Sequence, residues 1–164
     1  MNPKQNTPLS IAHFGSFAQI LDQPPAGAIP GKQFLSAPVS LTSCEISVNR
    51  LPAGYGYGFT HKHKKNEEVY IIVGGKGVFY ADGTAHPVQE GSVVRLAPAV
   101  VRSIEAAPET PLDYICVQAP EGGMPYSFLE DGVPVSAEAP SKKRLPLLPR
   151  LKEYFEKTSA GAGS

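Results

Sequence analysis

A basic excess is missing from this sequence: 15 lysines and arginines are balanced by 15 aspartates and glutamates. A formal charge of zero argues against nucleic acid as a partner, because phosphate binding leans on clustered cations. Long hydrophobic runs are missing too. No apolar stretch approaches the ~20 residues needed to span a bilayer, and the opening MNPKQNTPLS lacks the charged-then-apolar profile of a secretory signal. The expectation is a cytoplasmic protein with no membrane partner. Cysteine is scarce: Cys44 and Cys116 both lie in strand-like apolar contexts and read as small buried side chains rather than a disulfide. There is no GxSxG, no P-loop and no dinucleotide glycine fingerprint. The absence of βαβ alternation also removes a Rossmann-type sheet.

What the chain does have is punctuation. Its 164 residues include 16 glycines and 17 prolines without a repeat period, which suits many short strands joined by tight turns. Residues 1–40 are proline-rich and weakly patterned, and read as an N-terminal arm packed on a barrel. Residues 41–122 carry the strand signals. Alternation runs through Cys44, Ile46 and Val48, resumes from Tyr57 through Phe59, His61 and His63, and continues over 69–73, 77–81, 85–88, 93–96, 101–105 and 112–119. Asp82-Gly83 is a strong hairpin signal, since both residues tolerate positive φ. Turns at this spacing point to an all-β sandwich or barrel. Residues 123–164 read as a loop, a short amphipathic helix near 149–157 and a flexible tail.

His61 and His63 lie two apart on an expected strand, so period-two geometry sends both imidazoles to one face. If residues 64–67 form the loop to an antiparallel neighbour, Glu68 comes opposite them. Two histidines and a carboxylate make a facial set suited to Fe(II), Mn(II), Zn(II), Ni(II) or Cu(II). Spacing alone leaves open a solvated pair beside Lys62, Lys64 and Lys65.

The stretch HKHKKNEEVYIIVGGKG resembles the first motif of the cupins, in which an HxH pair, a glutamate and a glycine fall as His61, His63, Glu68 and Gly75 do here. Glu67 competes with Glu68, but Glu68 matches the spacing to Gly75 and would share its face with Tyr70 and Ile72. The stretch GSVVRLAPAVVRS from Gly91 is similar to the second motif, and the 15 residues between Gly75 and Gly91 resemble the short spacer of compact microbial cupins. The resemblance implies an antiparallel double-stranded β-helix, or jelly-roll barrel. It also implies a homodimer formed through barrel-edge strands, and metal ligation by His61, His63 and Glu68. Dioxygenase, isomerase and decarboxylase chemistries are all at home on that fold.

The second motif breaks where the family places its fourth ligand, a histidine 11 residues after the opening glycine: Arg102 stands there. A guanidinium offers donors only and cannot ligate. Three arrangements are compatible with it. Arg102 binds an anionic substrate beside a metal held by three ligands; or the metal is lost and Arg102 pairs with Glu68 in a binding pocket; or Arg102 points to solvent. Unit charges ~5 Å apart repel by roughly 3 kcal/mol at an effective dielectric near 20, doubled for a divalent ion, so a guanidinium beside a metal needs an anion between them. The expectation is a divalent metal (Fe, Mn, Ni or Zn) with a small anionic ligand contacted by Arg102, Tyr57, Phe59 and Tyr70. The alternative is a metal-free binding or sensing module. Tyr114, Cys116 and Gln118 alternate on a late strand and can add polar groups to the cavity.

Overall fold

Alternation in the sequence becomes alternation of burial. In strand β3 (Asn66–Gly74) Glu68, Tyr70 and Ile72 point inward; β7 (Arg102–Ala106) buries Arg102, Ile104 and Ala106; β8 (Leu112–Pro120) buries Leu112, Tyr114 and Cys116. The other strands are β1 (Lys32–Phe34), β2 (Glu45–Leu51), β4 (Lys76–Ala81), β5 (Thr84–Gln89) and β6 (Val93–Leu96). The computed structural model describes residues 9–21 and 29–124, together with Asp131, Pro149 and Glu153. The chain divides into two units, Met1–Gly123 and Met124–Ser164, and the strands belong to the first. Apart from Pro149 and Glu153, each helical and exposed, the helix expected near 149–157 lies outside the described residues, as do most of the expected loop and tail.

The strands form two antiparallel sheets, ordered β1-β2-β8-β3-β6 and β5-β4-β7. Their inner faces share one core, in which Leu51, Ile72 and Leu112 meet Phe79, Val88 and Ile104. The Tyr70 and Phe79 rings meet edge-on, 4.9 Å apart, across the sheets, a geometry favoured by the aromatic quadrupole. The hairpin at Asp82-Gly83 joins β4 to β5 with φ of 48° and 81°, as its residue types predict. Pro87 sits in edge strand β5, where its missing N–H costs no ladder bond. Within the segment expected as an arm, residues 32–34 become a strand of the larger sheet, and a 3₁₀ turn at Phe17–Ile20 buries Ile20.

The stretch 57–63 departs from expectation. It is not a regular strand, and it lies against β7 instead of pairing with β3. Bridges join Gly56 to Glu105 and His61 to Arg102, so four residues (57–60) face two (103–104) and the segment bulges. Gly56 permits the approach: a Cβ there would lie 2.9 Å from the Glu105 Cβ and 3.0 Å from the Ile104 oxygen. His61 and Arg102 exchange reciprocal backbone hydrogen bonds, 3.2 and 2.9 Å. Period-two alternation fixes which face a side chain takes; it does not choose the neighbouring strand.

Candidate metal centre and ligand cavity

Because the bulge adds an even number of residues, parity survives it. Tyr57, Phe59, His61 and His63 all line one cavity of about 280 Å³. Their rings follow one another at 5.9, 5.8 and 5.3 Å between centroids, the two imidazoles perpendicular. Tyr55 shares their parity but is 66% exposed and lies outside it. The opposite sheet contributes Glu68 and Tyr70 from β3, and Tyr114 and Gln118 from β8. In the strand register Glu68 stands directly opposite Gln118, and Tyr70 opposite Cys116.

Glu68 is 3% exposed, and three side-chain donors meet its carboxylate. The Tyr70 hydroxyl donates to Oε2 at 3.0 Å, the Gln118 amide to Oε1 at 3.2 Å and the Cys116 thiol to Oε1 at 3.6 Å. His63 Nε2 lies 3.1 Å from Oε1 and His61 Nε2 lies 3.9 Å from Oε2. Burial alone would raise the Glu68 pKa. The Tyr70 hydrogen bond, the charges of His63 and Arg102 and the Gln118 amide outweigh it and hold the carboxyl below its ordinary value. Burial pushes His61 below the usual imidazole value, Arg102, His63 and Lys32 acting with it and Glu68 against it. A neutral imidazole and an ionised carboxylate are the forms a metal requires. Glu67, the competing carboxylate, turns the other way and accepts a 2.8 Å hydrogen bond from Arg95 on the outer surface.

Arg102 does not point to solvent. It shares the inward face of β7 with Ile104, is 1% exposed, and places Nε 3.4 Å from Glu68 Oε2. That is ion-pair distance without hydrogen-bond alignment: Nη2 donates to the Ala97 carbonyl at 2.9 Å, while Nε and Nη1 have no hydrogen-bond partner. Arg102 is not among the residues that line the cavity. Around the wall, the Tyr57 and Tyr114 hydroxyls lie 3.2 Å apart, and burial raises both phenols. The buried Cys116 thiol is pushed up to about 12, first by burial and then by Glu68. Cys44 and Cys116 are both free thiols.

Of the cavity residues that sequence reasoning missed, Ile29, Lys32, Ser103 and Ile104, Lys32 is the charged one. Its strand is three residues long, too short to carry a period, and lies in a segment read as an arm. Among the described residues, His61, His63 and Glu68 form the one group of three whose ligand atoms, all within 4.8 Å of one another, suit a metal ion. No helix among them is long and apolar enough to cross a membrane.

Residues 51–157 match the family model of the AraC-like ligand binding domain. A crystal structure of a cupin protein from Bacteroides fragilis is 38% identical, with a TM-score of 0.63 over 70% of this chain and 97% of that one. An uncharacterized protein of Methanocaldococcus jannaschii is 33% identical over 67 residues, 41% of this chain and 50% of that protein. The oxalate-binding protein of Thermotoga maritima is 35% identical over 68 residues, 42% of this chain and 55% of that protein. The chain spans about half the length of these curated relatives. Motif, barrel and comparisons agree, and the chain belongs to the AraC-like ligand-binding domain family, within the cupin superfamily.

Proposed function

We propose that the cavity holds a divalent metal ion on His61, His63 and Glu68 and takes up a small anionic molecule against it. The observation carrying this reading is the convergence of donors: His61, His63 and Glu68 each bring a ligand atom, all within 4.8 Å of one another, with His63 Nε2 3.1 Å from Glu68 Oε1 and His61 Nε2 3.9 Å from Oε2. Two imidazoles and a carboxylate are a donor set that suits a divalent ion, so the residues present fit it. When bound, it supplies a Lewis acid or an oxygen-activating centre.

Charge then selects the ligand. Glu68 and Arg102 cancel each other, and the imidazoles are neutral ligands. A divalent ion in this site keeps its double charge and draws an anion, with a gross Coulomb attraction of about 8 kcal/mol at 4 Å and an effective dielectric near 20. Arg102 acts as a positioning residue that fixes the Glu68 carboxylate, while Tyr57, Phe59 and Tyr70 form the aromatic wall against which the ligand packs. The Thermotoga relative, named for binding oxalate, supports oxalate as the first ligand to try.

One observation favours a second reading. The buried Arg102–Glu68 pair is compatible with a metal-free pocket, since it balances the carboxylate without an ion. Elemental analysis of protein purified without chelators or a metal-binding tag, beside His63→Ala, separates the two. Near-stoichiometric metal in the parent and loss in the variant, with oxalate binding abolished by EDTA, supports the metal site. Oxalate affinity that survives chelation supports the metal-free pocket. Full occupancy in His63→Ala refutes the ligand assignment.

A further inference from the structure

Lys32 enters the cavity from the edge of the larger sheet. Register pairs Lys32 with Asn49, and Asn49 with Tyr114, so Lys32 belongs to the same inward-facing row as a cavity-wall tyrosine. It lines the cavity together with His61, His63 and Glu68. Its ammonium lies 5.1 Å from the Phe34 ring centroid, a contact that stabilises a cation without neutralising it. Among the described residues no carboxylate forms an ion pair with it. Glu68, the one carboxylate lining the cavity, is already balanced by Arg102. The cavity therefore holds an uncompensated positive charge apart from the metal cluster, in a site where low polarity magnifies its effect.

We propose that Lys32 is a second anion anchor, and that the cavity takes a short dicarboxylate, one carboxylate at the His61–His63–Glu68 cluster and the other at Lys32. This rests on the reading of the cavity as a site for a small anion. Size agrees. At ~30 Å³ for each displaced water, about 280 Å³ accommodates a ligand of roughly nine non-hydrogen atoms, the scale of malonate or succinate and below that of a nucleotide. Phe59 and Ile104 on the wall suit the methylene body between two charged ends. A monocarboxylate leaves Lys32 or the metal unpaired, and the difference appears as selectivity.

The test is calorimetric titration with malonate and succinate against acetate and propionate. It uses the parent, Lys32→Gln and Lys32→Arg, each in Mn(II)-loaded and EDTA-treated form, with metal content measured in parallel. The parent is expected to bind the better dicarboxylate at least about tenfold more tightly than either monocarboxylate, one charge-assisted contact's worth. Lys32→Gln loses that advantage, Lys32→Arg restores most of it, and metal content is the same in all three. A parent without dicarboxylate preference, or a Lys32→Gln variant that keeps it, overturns the proposal. A Lys32-dependent preference in a protein that binds no metal upholds the anchor and refutes only the metal site. Full metal content with no preference refutes only the anchor.

Discussion

Arg102→Met, measured against Glu68→Gln and the double variant, tests whether the buried pair organises the site. The charges lie 3.4 Å apart, a gross attraction of about 5 kcal/mol at an effective dielectric near 20. Removing one partner of such a pair strands the other, which costs about 3–5 kcal/mol. Glu68 keeps three donors, from Tyr70, Cys116 and Gln118, so the expected loss for Arg102→Met is near the lower end, about 3 kcal/mol. Removing both charges should restore most of it. Methionine also eliminates the guanidinium nitrogens that have no partner, and a glutamine at 68 has no charge to strand. The double variant is therefore expected within about 1 kcal/mol of the parent. Urea unfolding at pH 7 in EDTA reads these values, with a midpoint shift of about 1–3 M for the single variant. A single variant as stable as the parent, or a double variant whose loss equals the sum of the singles, refutes the reasoning.

The remaining predictions concern the shell around that pair. The lowered Glu68 pKa makes its ionised form a stabilising group above the unfolded-state value of about 4.3, and this stability disappears as pH falls through the lower folded value. Subtracting the Glu68→Gln profile from the parent's acid-unfolding profile should isolate that fall; superimposable profiles count against it. Cys116, buried with its thiol raised to about 12, should resist a disulfide reagent at pH 8 until the protein is unfolded, and rapid native labelling, mapped by mass spectrometry, argues against this burial. Gly75 has φ of +79°, and a Cβ there would collide with the Pro111 carbonyl oxygen. Gly75→Ala is thus expected to lose on the order of 3 kcal/mol in thermal unfolding, and a loss below 1 kcal/mol contradicts the turn.

Much of the barrel was legible because a strand buried on one face writes its period into the sequence. Tyr70 and Ile72, and Tyr114 and Cys116, turn inward where alternation placed them, and Asp82-Gly83 makes the turn its residues favour; in β2 the register instead puts Ser47 and Asn49 on the face of Cys116 and Tyr114, and Ile46 and Val48 on the other. The site was legible for the same reason: parity alone gathers Tyr57, Phe59, His61 and His63 on one wall. Parity says nothing about partners, so the pairing of His61 with Arg102 instead of the Glu68 strand was not readable. Nor was the direction of Arg102, because a long cation is exposed in most settings and buried only where a specific anion awaits it. Lys32 was hidden for a third reason, a strand too short to show alternation.

The arginine gives the site its character through where its charge is placed. A histidine at position 102 would offer one more neutral ligand and leave the buried Glu68 carboxylate without the guanidinium that balances it. With arginine, the Glu68 carboxylate is already matched by a buried cation, at 3.4 Å. The barrel interior then carries no net negative charge toward the cavity, while Lys32 adds a positive one at the sheet edge. Such a cavity disfavours a cationic or neutral ligand of equal size and favours an anion whether or not the ion is in place. On the proposed reading a bound metal would set how strongly that anion is held, and Lys32, which lines the cavity, would set which anion it is.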